Sequence, residues 1–595
     1  MTAALDEVTK LELRRRAAFR LVFGAGAGLL GLEGPARAVA IGAPQFLHGV
    51  ASGDPLRDRV IIWTRVTPPS MERLRVQWRV STTSDMTNVV AAGETNAGRN
   101  RDFTVKVDVA GLQPATWYWY QFNVGGVYSP IGRTRTLPAS NAVDPFAIAF
   151  FSCSNWVKGY FTAYREAARD DSLVAVLHLG DYTYEYGPGG YPTASLALGL
   201  VTEPRAGTLD PMQETVMLAA YRQRQALHHI DPDLQALHAK LPWIVIYDDH
   251  EEANDSWTGG AENHQPATEG DWKAREAAAL QAYYEWMPIR EHRAVPLLDP
   301  TTQNPTQLYR TFTFGQLARI ICLDTRLAGR NQQMTPAQML AAYTVYATTG
   351  SFSTDMQADG SPRTLLGAAQ EAWVDEKLST GRQTWQILAN QVLMHYQIAP
   401  DYLNSPLLND QQKAQITATI DAAFGAGSGA AFGQAGANGL PNPATYDSWN
   451  GYPSARQRLY ASLAKARNPI VISGDSHNGW AASLAVPAAG GGRTPVGVEF
   501  GGTSVSSPGY EETFPGFPPA LIAGLITSSS QAKSRGDTLV YADTYRRGYV
   551  KLAVAADKVT ATYVFLSTVF DDDSYTVDAT RHFEVLAGAK KISGS

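Results

Sequence analysis

Cysteine is almost absent: Cys153 and Cys322 are the two in 595 residues. Two thiols cannot make a disulfide scaffold or a multi-cysteine zinc module. Charge is also sparse. Asp, Glu, Lys and Arg make up 18% of the chain, where about a quarter is usual. Lys and Arg total 50 against 56 Asp and Glu, a net charge of -6, which argues against the basic surface of a nucleic-acid binder. Long apolar runs are missing too. Beyond the first forty residues nothing approaches the ~20 uncharged apolar residues of a membrane helix, so no stable membrane span is expected. What remains is 44% hydrophobic, with 52 Gly and 34 Pro: a loop-rich globular chain, long enough to bury a sizeable core.

The N-terminus carries Arg14-Arg15-Arg16, an apolar stretch from Ala17 to Leu32 broken by Arg20, and then Pro35-Ala36-Arg37-Ala38. Basic cluster, apolar run and small-residue cleavage site stand in the order of an export signal. The arginines resemble the twin-arginine type. The reading is a signal over 1–38 that engages the export machinery and sends the protein to the periplasm or outside the cell.

Residues 45–137 read as all-β. Leu74, Val76, Trp78 and Val80 alternate, as do Phe103, Val105, Val107 and Val109, and Arg59–Thr64 is a further candidate strand; period two marks half-buried strands. The Leu112–Tyr120 stretch resembles the tyrosine-corner segment of fibronectin-type sandwiches, with Tyr118 as the corner residue. From 145 to 588 the pattern changes. Short apolar runs now end at polar clusters: Phe146–Phe151 before Ser152-Cys153, Leu173–Leu179 before Gly180-Asp181, and Trp243–Tyr247 before Asp248-Asp249-His250. Arg319–Leu323 precedes Asp324, Trp385–Ala389 precedes Asn390-Gln391, and Pro469–Ser473 precedes Gly474-Asp475-Ser476-His477. Such runs suit strands covered on both faces, with helices between them, for example Trp272–Trp286. Ligands of α/β sheets bind beyond the carboxyl ends of the strands, so these clusters are expected to converge. Ser195–Arg205 and the Gly- and Ala-rich Gly425–Asn442 read as insertions, the second a flexible one.

Each cluster has a chemistry. Asp181 and Tyr184 can aim a carboxylate and a phenolate at one point, the carboxylate suited to hard cations and the phenolate to ferric iron. Asp248 and Asp249 are costly side by side unless paired or metal-bound. Between acids, His250 favours its charged form and suits a phosphate contact or a proton donor. Asp475 and His477 share a tight turn. Cys153, at a strand end, is a possible metal ligand, whereas Cys322 reads as core.

Taken in order, Phe151-Ser152-Cys153-Ser154, His178–Gly187, Asp248–Asn254, Leu323–Arg326 and Gly474–His477 resemble the PhoD-type alkaline phosphatase family, which includes phosphatases, phosphodiesterases and phospholipase D-like enzymes. His48–Pro55 and Trp63-Thr64-Arg65 resemble that family's β domain. Gln370–Trp373 and Trp449–Pro453 look like segments of its catalytic part. The resemblance implies an α/β metallophosphoesterase layered sandwich, similar to calcineurin and purple acid phosphatases, preceded by a small fibronectin- or Ig-like sandwich. It implies ferric iron and calcium as cofactors and a phosphate ester as substrate. By the same resemblance Cys153, Asp181, Tyr184, Asp249, Asn254, Asp475 and His477 are the metal ligands, with Asp181 bridging, Asp249 preferred over Asp248, and His250 catalytic. A metal-activated hydroxide is then the nucleophile, and Ser476 is not. The rival readings are a phospholipase D-like phosphodiesterase acting on phospholipids and a non-catalytic surface-binding protein.

Overall fold

A computed structural model describes residues 43–191, 203–291, 308–350 and most of 352–594, except 353–354, 358, 489–491, 515–516 and 534–535. The export signal and most of the 195–205 segment lie outside the described residues.

All six apolar runs become strands. Phe146–Phe151, Leu173–His178 and Pro242–Val245 pair in parallel in one nine-stranded sheet. Ala318–Cys322, Trp385–Ala389 and Pro469–Ser473 pair in parallel in a second, seven-stranded sheet. Their inner faces share one core, in which Ile148, Phe150, Leu177 and Ile244 of the first sheet join Ile320, Ile387 and Ile472 of the second. Alternate residues point outward: Ile321, Leu388 and Val471 pack with Val374 and Leu378 of the helix Gly367–Thr380 and Leu459 and Leu463 of the helix Pro453–Lys465. Both faces are covered, so these strands are apolar throughout instead of alternating. Cys322 lies in the inter-sheet core, and both cysteines are free.

The N-terminal strands form a sandwich around Val60, Ile62, Val76, Val80, Tyr118 and Phe122. Tyr118 makes the corner, its phenol oxygen accepting the Gln113 N–H at 2.8 Å. One layer of this sandwich is not separate from the catalytic body. Arg59–Arg65 and Thr104–Ala110 continue the nine-stranded sheet through Val50–Gly53, which runs parallel to Pro242–Val245. Alternation reveals which face of a strand is buried but not which strand lies beside it.

The Gly425–Asn442 stretch differs from the flexible insertion expected. It contains the helix Ser428–Ala437, packed beside the helix Asp410–Phe424, with Phe432 and Ala435 buried. Its glycines serve close approach: a Cβ at Gly429 would lie 2.4 Å from the Thr417 carbonyl oxygen. Among the described residues no helix is long and apolar enough to cross a membrane.

Candidate metal centre

The polar clusters that follow the strands are tied to one another by backbone and side-chain bonds. The Cys153 N–H donates to Gly180 O at 3.2 Å and the Ser154 N–H to Asp181 O at 2.9 Å. The Glu251 carboxylate accepts the N–H groups of Asp181, Tyr182 and Asp248 at 3.0, 2.7 and 2.9 Å. Gln391 links the two sheets, its amide donating to Tyr247 O at 2.9 Å and Leu323 O at 2.8 Å. Gly180 holds the centre's closest approach: its φ is +106°, and a Cβ there would meet Asp248 Cβ at 2.3 Å.

Backbone strain concentrates here. Cys153, Asp181, Asp255, Asp475 and His477 have φ of 63°, 56°, 53°, 61° and 61°. Each costs about 1–2 kcal/mol for a residue bearing a Cβ, a cost that persists where surrounding structure fixes the geometry.

Four groups of side chains bring ligand atoms within 4.8 Å of one another: Cys153, Asp181 and His477; Asp181, Asp249 and His250; Asp181, Asp248, Asp249 and Asp475; and Asp249, Asp255 and Asp447. Asp181 belongs to three of the four. Tyr184 joins the first group, its phenol donating to Asp181 Oδ2 at 3.1 Å and lying 3.2 Å from His477 Nε2. Ser507 Oγ donates to the same phenol at 2.8 Å. His477 Nδ1 donates to Pro508 O at 2.8 Å, which leaves Nε2 as the ring's lone-pair atom on the Tyr184 side; a second bond of this kind is what orients metal-binding imidazoles.

The charge balance is that of a cation site. Burial, then nearby acids, raise the pKa of Asp181 and Asp475 well above the carboxylate range, although His250 opposes this at Asp181 and Arg326 at Asp475. Burial and Asp181 likewise push up the Cys153 thiol and the Tyr184 phenol. Asp249 goes the other way. Although burial acts to raise it, Arg326 and His250 bring it to about 2. Asp181 Oδ1 and Asp248 Oδ2 are buried without a hydrogen-bond partner. Orphaned buried carboxylate oxygens are costly, and a cation between them would satisfy them and reverse the shifts. The residues therefore fit resident metal ions.

Six of the seven expected ligands converge. Asn254 meets the centre through its backbone: its N–H donates at 2.7 Å to Oε1 of Glu185, the carboxylate that also holds His250, while its side-chain amide donates to Glu262 Oε2 at 3.2 Å. Asp248 stands in the cluster beside Asp249, with one oxygen on Arg326 Nε at 2.5 Å. His250 Nδ1 donates to Glu185 Oε2 at 2.7 Å. Burial would lower its pKa, but Glu185, Asp181 and Asp249 raise it well above the usual range. Ser476 Oγ accepts the Trp480 indole N–H at 2.7 Å.

Sequence reasoning missed Glu185, Arg326 and Asp447. Glu185 lies one residue after Tyr184 inside a segment already singled out, so its position was a signal. Arg326 closes the Leu323–Arg326 segment. It is fully buried and reaches Asp447 at 2.8 Å, Asp249 at 3.4 Å and Asp475 at 4.0 Å, besides Asp248. Asp447 had no local signal.

Residues 146–563 match the model of the PhoD-like phosphatase family, and 33–138 match that of its N-terminal domain. The chain belongs to the PhoD-like phosphatase family. It is 33% identical over 475 residues to alkaline phosphatase D of Bacillus subtilis (strain 168), covering 78% of this chain and 70% of that protein. A solved structure of PhoD superposes with a TM-score of 0.70 at 29% identity, covering 92% of this chain and 91% of that one. A purple acid phosphatase from yellow lupin gives 0.47 at 13% identity, too distant a likeness to carry an argument. As a PhoD-like phosphatase the chain is a metal-dependent phosphoric ester hydrolase with an α/β catalytic body and a mostly β N-terminal domain. The non-catalytic reading is thereby set aside.

Proposed function

We propose that this PhoD-like phosphatase is an exported phosphomonoesterase or phosphodiesterase whose centre holds ferric iron and calcium. The observation that carries this reading is the placement of Asp181 between two chemically different donor sets. On one side stand a thiol, a phenol and an imidazole nitrogen, from Cys153, Tyr184 and His477. On the other are the carboxylates of Asp248, Asp249 and Asp475. The first set suits an oxidised transition metal and the second a hard oxygen-seeking cation. Asp181 belongs to both sets and would be the ligand that the two ions share. Asp447 and Asp255 extend the acidic side.

When bound, such ions neutralise the phosphoryl oxygens and lower the pKa of a coordinated water. The chain's own residues do the rest. Glu185 holds the His250 ring through Nδ1, fixing its orientation and keeping it charged. Its Nε2 proton is then available to a phosphoryl oxygen or to the departing alkoxide, the role of a general acid. Arg326 offsets the charge of four acids from behind and holds Asp248. Ser476, bonded to Trp480, has no base beside it among its described contacts and takes no part as nucleophile.

The order of elements in the first forty residues supports export, by the twin-arginine route. The test is hydrolysis of a chromogenic phosphate ester by metal-loaded protein, with Asp181→Ala beside it. Loss of turnover together with loss of both metals is expected. Normal turnover in that variant removes Asp181 from the bridging role.

A further inference from the structure

A cavity of about 200 Å³ has Tyr510 in its lining, and the Tyr510 N–H is bonded to the side chain of Asn478, the residue after His477. Its walls come from the helices Asp410–Phe424, Ser428–Ala437 and Pro519–Lys533 and from Tyr510 and Phe514. Ile416, Ile420, Phe432, Ile522 and Leu525 make it apolar. The few polar groups in its lining are mostly engaged within the protein: the Tyr402 phenol donates to Gly429 O at 2.7 Å, and Asn442 Oδ1 accepts the Ala444 N–H at 3.1 Å. An apolar cavity of about 150 Å³ is large enough to stay dry and bind benzene; this one is larger.

Tyr510 is the lining residue that stands nearest in the chain to the groups around His477. It follows Pro508 by two residues, and the Pro508 carbonyl is the group that orients His477. Its N–H donates to Asn478 Oδ1 at 3.2 Å, just past His477. Its ring neighbours are Trp480 and Phe514, at 6.2 and 6.3 Å between ring centroids, and the Trp480 indole N–H is bonded to Ser476.

We propose that this cavity receives the apolar group of a phosphoric ester whose phosphoryl group lies at the metal centre, selecting esters of alkyl chains over small polar alcohols. This rests on the hydrolase reading above and names its substrate class. The Gly425–Asn442 segment thereby gains a role, since Phe432 and Asn442 belong to it and its packing shapes the wall.

The test uses metal-loaded full-length enzyme and the methyl, butyl and octyl members of two soluble series, alkyl phosphates and alkyl 4-nitrophenyl phosphates. Burying a methylene favours binding about fourfold, so kcat/KM should climb about fourfold per methylene until the cavity fills. Leu525→Trp fills the space and should flatten the octyl-to-methyl ratio towards one. Phe432→Ala enlarges it and should move the optimum to longer chains, which keeps the test open if the first variant fails to fold. A chain-independent kcat/KM in the wild type, or an unchanged ratio in both folded variants, overturns the proposal. Calorimetric binding of octylphosphonate against methylphosphonate separates the two claims. Tight octyl binding without hydrolysis of any ester would refute the esterase reading and support the pocket, whereas hydrolysis of all esters with equal binding of both phosphonates refutes the pocket alone. Vesicles of phosphatidic acid form a last arm: cleavage identifies a lipid as the source of the chain, and its absence beside a chain-length rise identifies a soluble ester, both in support.

Discussion

Five histidines that take no part in the metal centre predict a steep loss of stability in mild acid. His48, His178, His228, His229 and His238 are all buried. They pack with Trp63, Trp243, Trp286 and Tyr182: His238 stacks on Trp243 at 3.9 Å and on His229 at 5.6 Å, and His48 meets Trp286 at 5.1 Å. Burial lowers every one of them, His178 and His228 to about 3 and His229 to about 4, from 6.5. A depressed pKa means that the folded state prefers the neutral ring. Stability is full above the unfolded pKa of 6.5 and falls as the pH drops below it, because only the unfolded chain takes up the proton. Each ring costs about 1.4 kcal/mol per pH unit in that window. At pH 5 that is about 2 kcal/mol each, or about 6 for the three with stated values, comparable to the whole 5–15 kcal/mol margin of a typical domain. Urea unfolding followed by tryptophan fluorescence at pH 8, 7, 6 and 5, with metal held saturating, measures it. The midpoint should hold from pH 8 to 7 and collapse below 6. His238→Gln should shallow the slope by about one proton. A midpoint flat to pH 5, or an identical slope in the variant, would falsify the burial argument.

Other perturbations act on the centre itself. Glu185→Ala should lower kcat by about ten- to a hundredfold, the usual cost of losing a partner that orients an imidazole, and should shift the alkaline limb of the pH–rate profile to lower pH because His250 loses the charge that raises its pKa; steady-state kinetics across pH reads both. Arg326→Met leaves buried acids without their cation and should cost about 3–5 kcal/mol, seen as a lower thermal midpoint that saturating calcium partly restores. Tyr184→Phe keeps the ring and removes the oxygen, so any visible absorption band should bleach or shift while the far-ultraviolet circular dichroism stays the same. EGTA should suppress turnover and added calcium restore it; turnover that survives proven removal of calcium contradicts the calcium assignment.

Much of this was legible in the chain because buried strands leave a contiguous mark. The runs Phe146–Phe151, Trp385–Ala389 and Pro469–Ser473 became strands with those bounds. A single rule, that sites form at strand ends, let the clusters around Cys153, Asp181, Asp248-Asp249 and Asp475 be expected to converge, and the family resemblance then implied which of these residues bind metal. Glu185 and Arg326 escaped because neither coordinates by itself; each matters through the residue it holds, a relation set by packing between distant segments. Asp447 precedes a helical turn far along the chain and meets Arg326 only in three dimensions. The Gly425–Asn442 helix escaped for another reason. Glycine lowers helix propensity, yet Gly429 is required where the helix backbone approaches Thr417, a contact invisible before folding. The junction of the sandwich with the catalytic sheet was likewise hidden, since Ser52 finds Pro242 across nearly two hundred residues.

The claim on which the rest depends is that Asp181 joins two unlike metal ions in one centre. Elemental analysis of the protein purified from its native host, run beside its Asp181→Asn variant on matched folded samples, addresses it directly. Iron and calcium are expected in the wild-type protein and depletion of both, with loss of turnover, in the variant. An active wild-type protein containing neither metal, or a variant that keeps both, would contradict it.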